Sequence, residues 1–218
     1  NGDSLYVKGN LFDGTNYNVA GVALSLYNVV STLEVDSNTI QNYQTTGIHA
    51  RPTLSSDWKI RYNEITAIKT RGIYIEGNNG LFTNNIIDGI TSGDGVIITG
   101  NGGAIFSENK IFGLDGGSGI VVDGANALVA NNYIQAEGSG IAKGISLEAN
   151  GTGSKVVYNS VNITGTDVVN GQAIAVNGGS NYVVKNNIFA NNGGGYAAYV
   201  NVDISAFDWD FNDYFSTK

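Results

Sequence analysis

One short motif recurs along the whole chain, in which an asparagine follows one apolar residue by three positions and precedes another by two. Its nine copies are Val7-Asn10-Phe12, Val35-Asn38-Ile40, Ile60-Asn63-Ile65, Phe82-Asn85-Ile87, Phe106-Asn109-Ile111, Val129-Asn132-Ile134, Val156-Asn159-Val161, Val183-Asn186-Ile188 and Trp209-Asn212-Tyr214. Successive asparagines lie 28, 25, 22, 24, 23, 27, 27 and 26 residues apart. A fixed period of roughly 20–50 residues is typical of repeat proteins, whose units bury their apolar faces only by stacking on one another.

A second motif lies between successive asparagines and consists of a small residue followed by apolar residues at alternate positions. Its copies are Gly21-Val22-x-Leu24, Gly47-Ile48-x-Ala50, Gly72-Ile73-x-Ile75, Gly95-Val96-x-Ile98, Gly119-Ile120-x-Val122, Gly144-Ile145-x-Leu147 and Ala173-Ile174-x-Val176. Such short alternation is typical of β-strands, and no segment keeps a helical period. Each repeat is thus expected to hold three short strands. We therefore predict an all-β fold, a right-handed three-sheet parallel β-helix (solenoid) of about nine coils.

The recurrent asparagine is predicted to stand at a sharp corner between two strands and to form an Asn ladder. Asn tolerates the left-handed αL conformation better than most residues, so the ladder position itself is expected to adopt it. Stacked side-chain amides can also donate hydrogen bonds from coil to coil. A row of asparagines that binds a ligand is the functional alternative. The apolar residues of both motifs are expected to point inward and to form the core.

These motifs carry a resemblance to a known group of proteins. The asparagines at Asn63, Asn85, Asn109, Asn132, Asn159 and Asn186 resemble the ladder of the pectate-lyase-like parallel β-helix superfamily, over nearly the whole chain. The C-terminal stretch NNIFANNGGGYAAYVNVDISAFDWDFNDYF is similar to β-helix repeats in large secreted surface proteins of Bacteroidota-type bacteria. Because that superfamily includes lyases, hydrolases, binding modules and inert shafts, the resemblance implies a fold and leaves the activity open.

Composition narrows the classes of function. The chain has a net charge of −8, no cysteine and one histidine, which argues against a nucleic-acid-binding surface, a disulfide framework and a Cys-ligated metal site. No apolar run is long enough to span a membrane. Acidity together with abundant Gly, Asn, Ser and Thr favours a secreted or cell-surface protein. Because methionine is absent, residues 1–218 are expected to be a single β-helix segment excised from a longer multidomain protein.

Two columns of outward-facing residues on the sheet of the second motif form the candidate ligand-binding face. The first runs through Ala23, His49, Tyr74, Ile97, Val121, Ser146 and Ala175, and the second through Arg51, Glu76, Thr99, Asp123, Glu148 and Asn177. In enzymes that resemble this fold, substrates lie along such a face. The candidate ligand-binding residues are therefore His49, Arg51, Tyr74, Glu76, Asp123 and Glu148, while no catalytic residue and no metal ligand is assigned.

Asp123 and Glu148 are expected in the same slot of neighbouring coils, with backbones about 4.8 Å apart. Two carboxylates at this separation can share a proton, bind Ca²⁺, or act as acid and base on a glycosidic bond. Alternatively, both residues begin Gly/Asn turns and remain solvated. We predict no cofactor, with Ca²⁺ as the alternative.

Basic residues gather near the same face. Arg51, Lys59, Arg61, Lys69 and Arg71 lie close together in the sequence, so an anionic sugar could be held there. Polysaccharide lyases that resemble this fold use a basic residue to abstract a proton. Because Lys59 and Arg61 flank an inward residue of another strand, the group is alternatively split between faces, with Arg51 paired to Glu76.

The favoured function is that of a non-catalytic structural or adhesive β-solenoid segment that contacts carbohydrate. Its expected partners are polysaccharide or other domains of the same protein. The alternative is a polysaccharide lyase or glycoside hydrolase that acts along the outer face of one sheet. The aromatic residues Tyr196, Tyr199, Phe207, Trp209, Phe211, Tyr214 and Phe215 are expected to pack in the last coils.

Overall fold

A computed structural model describes residues 4–15, 21–27, 31–52, 57–203, 205 and 207–217. These residues form 24 β-strands and no helix, so none of them belongs to a helix that could cross a membrane. In chain order the strands are β1 (Leu5–Lys8), β2 (Leu11–Asp13), β3 (Val22–Leu26), β4 (Thr32–Asp36), β5 (Thr39–Gln41), β6 (Thr46–Ala50), β7 (Asp57–Arg61), β8 (Glu64–Thr66), β9 (Arg71–Glu76), β10 (Leu81–Thr83), β11 (Ile86–Asp88), β12 (Asp94–Gly100), β13 (Ile105–Ser107), β14 (Lys110–Gly124), β15 (Leu128–Ala130), β16 (Tyr133–Leu147), β17 (Lys155–Val157), β18 (Ser160–Ile163), β19 (Gln172–Val176), β20 (Val183–Lys185), β21 (Ile188–Asn191), β22 (Tyr196–Val200), β23 (Asp208–Asp210) and β24 (Asp213–Ser216).

All described strand pairs are parallel, and the strands form three stacks along the molecule. The first stack has nine strands in the order β1-β4-β7-β10-β13-β15-β17-β20-β23. The second stack is β2-β5-β8-β11-β14-β16-β18-β21-β24, and the third stack is β3-β6-β9-β12-β14-β16-β19-β22. The 15-residue strands β14 and β16 continue around a corner and join the second and third stacks into one hydrogen-bonded sheet. The predicted all-β solenoid with three strands per coil is confirmed.

Apolar side chains from all three stacks fill the interior. Val35, Ile60, Phe82 and Phe106 follow one another in the first stack with no exposed surface. The third stack contributes the equally buried series Ile48, Ile73, Val96, Ile120, Ile145 and Ile174. Since each coil closes its apolar face only against the coils beside it, stability depends on an unbroken stack.

The Asn ladder lies at the corner between the first and second stacks. It comprises Asn10, Asn38, Asn63, Asn85, Asn109, Asn132, Asn159, Asn187 and Asn212. Each of the first eight donates both its backbone N–H and its Nδ2 to the Oδ1 of the next, as Asn109 does to Asn132 at 3.0 Å for both bonds. The Nδ2 groups also donate to carbonyls of the preceding coil, for example from Asn132 to Phe106 at 3.1 Å. The hydrogen-bonding groups of the ladder amides therefore find their partners within the protein, which supports a structural role for the ladder.

The αL conformation belongs to the residue before each ladder asparagine, so the prediction that the ladder residue adopts it is wrong. Positive φ values of 54° to 59° occur at Ser37, Tyr62, Asn84, Glu108, Asn131, Tyr158, Asn186 and Phe211, and Gly9 occupies the same position with φ 65°. That residue turns the chain, which leaves the ladder asparagine free to point its amide into the corner.

Two repeats differ in register from the sequence motifs. In the eighth coil the ladder residue is Asn187 rather than Asn186, and Val184 and Phe189 point inward in place of Val183 and Ile188. The pattern there can be aligned in two ways because two asparagines are adjacent, and a shift by one residue turns every side chain to the opposite face.

In the first coil, Leu24 and not Val22 pairs with Ile48. This two-residue shift keeps the alternation of inward and outward side chains, so the motif alone does not reveal it. As a consequence Ser25, rather than Ala23, is the outward neighbour of His49.

Aromatic rings pack together in the last coils, as expected. Phe207 stacks on Trp209 with centroids 6.3 Å apart and meets Tyr182 edge-on at 5.2 Å. Phe189 stacks on Tyr214 at 5.9 Å. By contrast, Phe211 remains 73% exposed.

Candidate functional site

The outer face of the third stack displays its side chains in regular columns. One column is Ser25, His49, Tyr74, Ile97, Val121, Ser146, Ala175 and Tyr199. A second column, one strand position after the inward residues, includes Glu76, Thr99 and Asp123 in register, with Arg51 and Glu148 at the same position in their coils. The columns therefore follow the sequence prediction apart from the replacement of Ala23 by Ser25, but Ser146 and Ala175 are buried, at 1% and 0% exposed.

Four of the six predicted ligand-binding residues meet at the N-terminal part of this face. His49 stacks on Tyr74 with centroids 4.7 Å apart and an angle of 20° between the rings. His49 Nε2 lies 3.1 Å from Glu76 Oε1, and Arg51 Nε donates to Glu76 Oε2 at 2.5 Å. Together with Tyr27 and Arg71, described below, these residues are called the third-stack cluster.

Tyr27 is the residue of the cluster that the sequence did not single out. Its hydroxyl lies 2.5 Å from His49 Nδ1, and its ring meets the imidazole edge-on at 5.0 Å. The guanidinium of Arg51 covers the Tyr27 ring at 4.8 Å from the centroid. Because the motif alignment is two residues out of register in the first coil, the sequence pattern does not place Tyr27 in the slot opposite Arg51, within reach of His49.

Glu76, His49 and Tyr27 form a continuous chain of polar contacts, and the following hydrogen bonds are those of a neutral imidazole at His49. A carboxylate can only accept, so Glu76 accepts a hydrogen bond from the Nε2–H of His49. The other imidazole nitrogen, Nδ1, then accepts a hydrogen bond from the hydroxyl of Tyr27. The side chain of His49 is 14% exposed and that of Glu76 is 23% exposed, whereas Tyr27 is 38% exposed. The chain thus runs from a sheltered carboxylate to a solvent-facing phenol.

Arg71 adds a positive charge without an ion pair in the described part of the chain, because its in-register neighbour Asp94 accepts the backbone N–H of Ser118 at 2.8 Å instead. Its guanidinium lies 5.0 Å from the centroid of the Tyr74 ring, and no carboxylate lies within ion-pair distance among the residues the structure describes. An aromatic face attracts a cation electrostatically, and this contact leaves the N–H groups of the guanidinium free to bind an anion. Arg71 is therefore available to an anionic ligand.

The remaining basic residues of this part of the sequence lie elsewhere, with Lys69 exposed in the turn between β8 and β9. Lys59 pairs with Asp57 at 2.8 Å, and Arg61 pairs with Asp36 at 2.9 Å, both on the outer face of the first stack. The predicted alternative, a basic group split between two faces with Arg51 paired to Glu76, matches this arrangement.

Asp123 and Glu148 lie farther along the third stack and bind local donors. Asp123 Oδ1 accepts the backbone N–H of Asn150 at 3.1 Å. Glu148 Oε1 accepts from Ser146 Oγ at 2.7 Å and from Asn177 Nδ2 at 2.9 Å. Two coils separate Asp123 from Glu76, about 10 Å at the usual strand spacing. The structure thus does not bring this pair into the third-stack cluster, and its ligand-binding role stays a prediction.

Asp123 and Glu148 are also the carboxylates for which the sequence offers Ca²⁺ binding as an alternative. No group of three or more His, Cys, Asp or Glu side chains able to hold a metal ion occurs in the described part of the chain. Ca²⁺ binding therefore remains an expectation from the sequence.

The surroundings of Glu76 and Tyr74 shift both pKa values in ways that favour the observed charges. Burial raises the pKa of Glu76, but hydrogen bonds from Tyr74 and Arg51 and the positive charge of Arg51 outweigh it, so the pKa lies below its ordinary value. Burial, followed by the contact with Glu76, raises the pKa of Tyr74. Glu76 is therefore an ionised anchor for the cluster, and Tyr74 remains a neutral phenol.

The lowered pKa of Glu76 predicts how the cluster responds to acid. A carboxyl whose pKa is depressed by folding stabilises the fold above its unfolded-state pKa, and this contribution is lost as the pH falls through the folded-state pKa. We expect the difference in unfolding free energy between the wild type and Glu76→Gln to shrink as the pH falls from about 5 to about 3. Urea unfolding followed by circular dichroism measures this difference at each pH. A difference that stays constant with pH would contradict the lowered pKa of Glu76.

The fold places the chain in a general class of proteins, the parallel β-solenoids. The model of the family described as "Right handed beta helix region" matches residues 53–205, and the chain belongs to this family. No curated protein matches the sequence.

A solved structure with a similar fold is the crystal structure of DFA-IIIase from Arthrobacter chlorophenolicus A6, without its lid and in complex with GF2. The TM-score is 0.51, with 13% sequence identity over 93% of this chain and 68% of that chain. At this identity the similarity concerns the fold alone.

Proposed function

We propose that this β-solenoid segment binds acidic polysaccharide, and that the third-stack cluster is the site. The observation that carries the proposal is the guanidinium of Arg71, which rests on the Tyr74 ring without a carboxylate partner in the described part of the chain. In a protein of net charge −8, a cation without an ion-pair partner beside the half-buried Tyr74 and near the exposed Tyr27 suits a ligand that is both anionic and ring-shaped. A secreted or cell-surface location is part of this proposal.

The geometry suggests how such a chain would be held. The carboxylate of a uronate residue would accept hydrogen bonds from Arg71, while the exposed Tyr27 ring offers apolar surface to a sugar face. Arg51 would contribute positive potential although Glu76 already binds it. The open column beyond Tyr74, occupied by Ile97 and Val121, leaves room for a polymer to continue along the solenoid axis.

Affinity gel electrophoresis with polygalacturonate, alginate and a neutral glucan tests the proposed class of ligand. We expect at least one of the two polyuronates to retard the wild-type protein, and the retardation to weaken as salt is added because exposed charges are screened. Equal mobility in all gels would contradict the proposal.

One observation favours a second function at the same cluster, cleavage of the bound polysaccharide. The chain from Glu76 through His49 to Tyr27 has the arrangement of an activated acid–base group, since His49 Nδ1 is poised to take the phenolic proton. The phenolate would take the proton next to the uronate carboxylate, and that C–H electron pair would form a C=C bond as the bond to the leaving oxygen breaks. The leaving oxygen would then take the proton from Tyr27, which regains its own from His49.

The same polyuronate solutions distinguish the two functions. Ultraviolet absorbance of an unsaturated product, absent with Tyr27→Phe although that variant still binds, would establish catalysis. Binding by the wild type without any product would leave the binding function alone.

A further inference from the structure

The corner beside the Asn ladder carries exposed aromatic residues in an unfavourable backbone conformation. Tyr158 has φ 59° and is 59% exposed, and Tyr62, at the equivalent position of another coil, has φ 55° and is 57% exposed. The αL conformation is costly for any residue with a bulky side chain, and Asn or Gly adopts it more readily. Other coils indeed have Asn84, Asn131 and Asn186 there. These tyrosines therefore strain the turn without filling the core.

Around Tyr158 the exposed side chains form a compact patch. Asn131 precedes Tyr158 and Asn186 follows it in the corner column, since the preceding residues Ala130, Val157 and Lys185 are in register. In the adjacent column, Tyr133 and Ile188 flank Ser160 in the neighbouring coils, with exposures of 43% and 52%. We call Tyr133, Tyr158, Ile188, Asn131 and Asn186 the corner patch.

The five side chains of the corner patch are aromatic, amide or aliphatic, and none of them is charged. Its five residues include no acid and no base, although the chain carries 11 Lys and Arg and 19 Asp and Glu side chains. The Tyr133 hydroxyl donates to Gln135 Oε1 at 3.1 Å, which fixes the ring at the surface. Amide side chains both donate and accept hydrogen bonds, and aromatic rings present flat apolar faces. Sugar rings with hydroxyl groups complement both features.

A neutral saccharide fits the corner patch better than a protein partner does. A stable protein interface uses about 20–30 residues on each side, far more than this patch supplies. Strands of successive coils lie about 4.8 Å apart, so the three coils of the patch extend over about 10 Å, the dimension of a short saccharide. Lys110 lies in register with Tyr133 and Asp213 in register with Ile188, so the charges at the two ends of the patch are opposite and give no net attraction for an acidic saccharide.

We propose that the corner patch is a binding site for neutral polysaccharide, separate from the third-stack cluster, with the Tyr158 ring as its central stacking surface. Strain that persists at an exposed residue with no role in the core is typical of functional positions. At Tyr158, unlike at Tyr62, exposed apolar side chains of both neighbouring coils lie beside the strained ring. The site does not depend on the proposed acidic ligand, because the two surfaces lie on different faces of the solenoid.

The experiment combines binding and stability in a pair of matched variants. Tyr158→Asn and Tyr62→Asn make the same substitution at equivalent αL positions, inside and outside the corner patch. Affinity electrophoresis in hydroxyethyl cellulose, galactomannan and laminarin measures binding, and thermal unfolding measures stability. We expect at least one of these glucans or mannans to retard the wild type, with retardation lost in Tyr158→Asn and retained in Tyr62→Asn. Both variants should melt about 2–4 °C higher, because Asn relieves the strain.

Several outcomes would overturn the proposal. They are equal mobility of the wild type in all three gels, retardation that survives Tyr158→Asn, and retardation that Tyr62→Asn removes to the same degree. A lower melting temperature of Tyr158→Asn would show that the ring supports the fold instead. Self-association of the wild type in analytical ultracentrifugation, abolished by Tyr158→Asn, would identify the patch as a protein interface.

Discussion

Replacement of Asn132 by alanine is expected to lower the free energy of unfolding by about 2–5 kcal/mol, because it interrupts the ladder in the middle of the solenoid. Asn132 is 2% exposed, and its Oδ1 accepts both the N–H and the Nδ2 of Asn109 at 3.0 Å. Its own Nδ2 donates to Asn159 Oδ1 at 2.9 Å and to the Phe106 carbonyl. The substitution leaves these buried groups without partners and without access to water. Urea unfolding followed by circular dichroism gives the change.

The neighbouring residue provides the control. Asn131 is exposed and has φ 55°, and its side chain makes no hydrogen bond among those described. Asn131→Ala should therefore change the unfolding free energy by only about 1 kcal/mol, the difference in αL preference. Equal losses in both variants would mean that the corner conformation, rather than the ladder of hydrogen bonds, stabilises this part of the coil.

Gly119→Ala is expected to lower the free energy of unfolding by a similar amount, because the added methyl group clashes with neighbouring atoms. Gly119 begins the third-stack part of β14, and a Cβ atom there would lie 2.4 Å from Ile134 Cγ2 and 2.7 Å from the Gly144 carbonyl oxygen. The second of these is backbone of the next coil, so relief requires the coils to separate locally. We expect a loss of about 3 kcal/mol or more, or failure to fold.

Gly140→Ala is the matched control for that substitution. A Cβ atom at Gly140 would meet nothing within 4 Å, and its φ is not in the left-handed region. The variant should unfold within about 0.5 kcal/mol of the wild type. If Gly119→Ala were as stable as Gly140→Ala, the close approach of adjacent coils at the start of the third stack would be disproved.

Much of the fold could be predicted from the sequence, because a solenoid repeats one local solution in every coil. The period of the asparagine motif predicted the coil, and the alternation in the glycine motif predicted the inward faces of Ile73, Val96 and Ile120 correctly. Errors arose where a motif fits two registers. Asn186 and Asn187 are adjacent, so only the burial of Val184 and Phe189 decides between them. The αL position was misassigned since Asn is common both there and in the ladder.

The candidate site was only partly predictable. Stacking in register brings His49, Arg51, Tyr74 and Glu76 together, so these residues could be selected from their slots in the repeat. Tyr27 could not be selected from the sequence because its position depends on the register of the first coil. There the motif can be shifted by two residues without changing which side chains face inward. The tautomer of His49 and the free guanidinium of Arg71 depend on side-chain contacts, which no repeat pattern specifies.

The proposed acidic-polysaccharide site is tested by titration calorimetry of polygalacturonate or alginate, whichever retards the wild type in gels, against two matched arginine variants. Arg71→Ala removes the unpaired cation of the third-stack cluster, and Arg61→Ala removes a cation that pairs with Asp36 on the first stack. Both variants change the net charge equally. We expect Arg71→Ala to bind at least about tenfold more weakly than the wild type and Arg61→Ala to bind like the wild type. Equal affinity of Arg71→Ala and the wild type, or equal weakening by both variants, would contradict a site at the third-stack cluster.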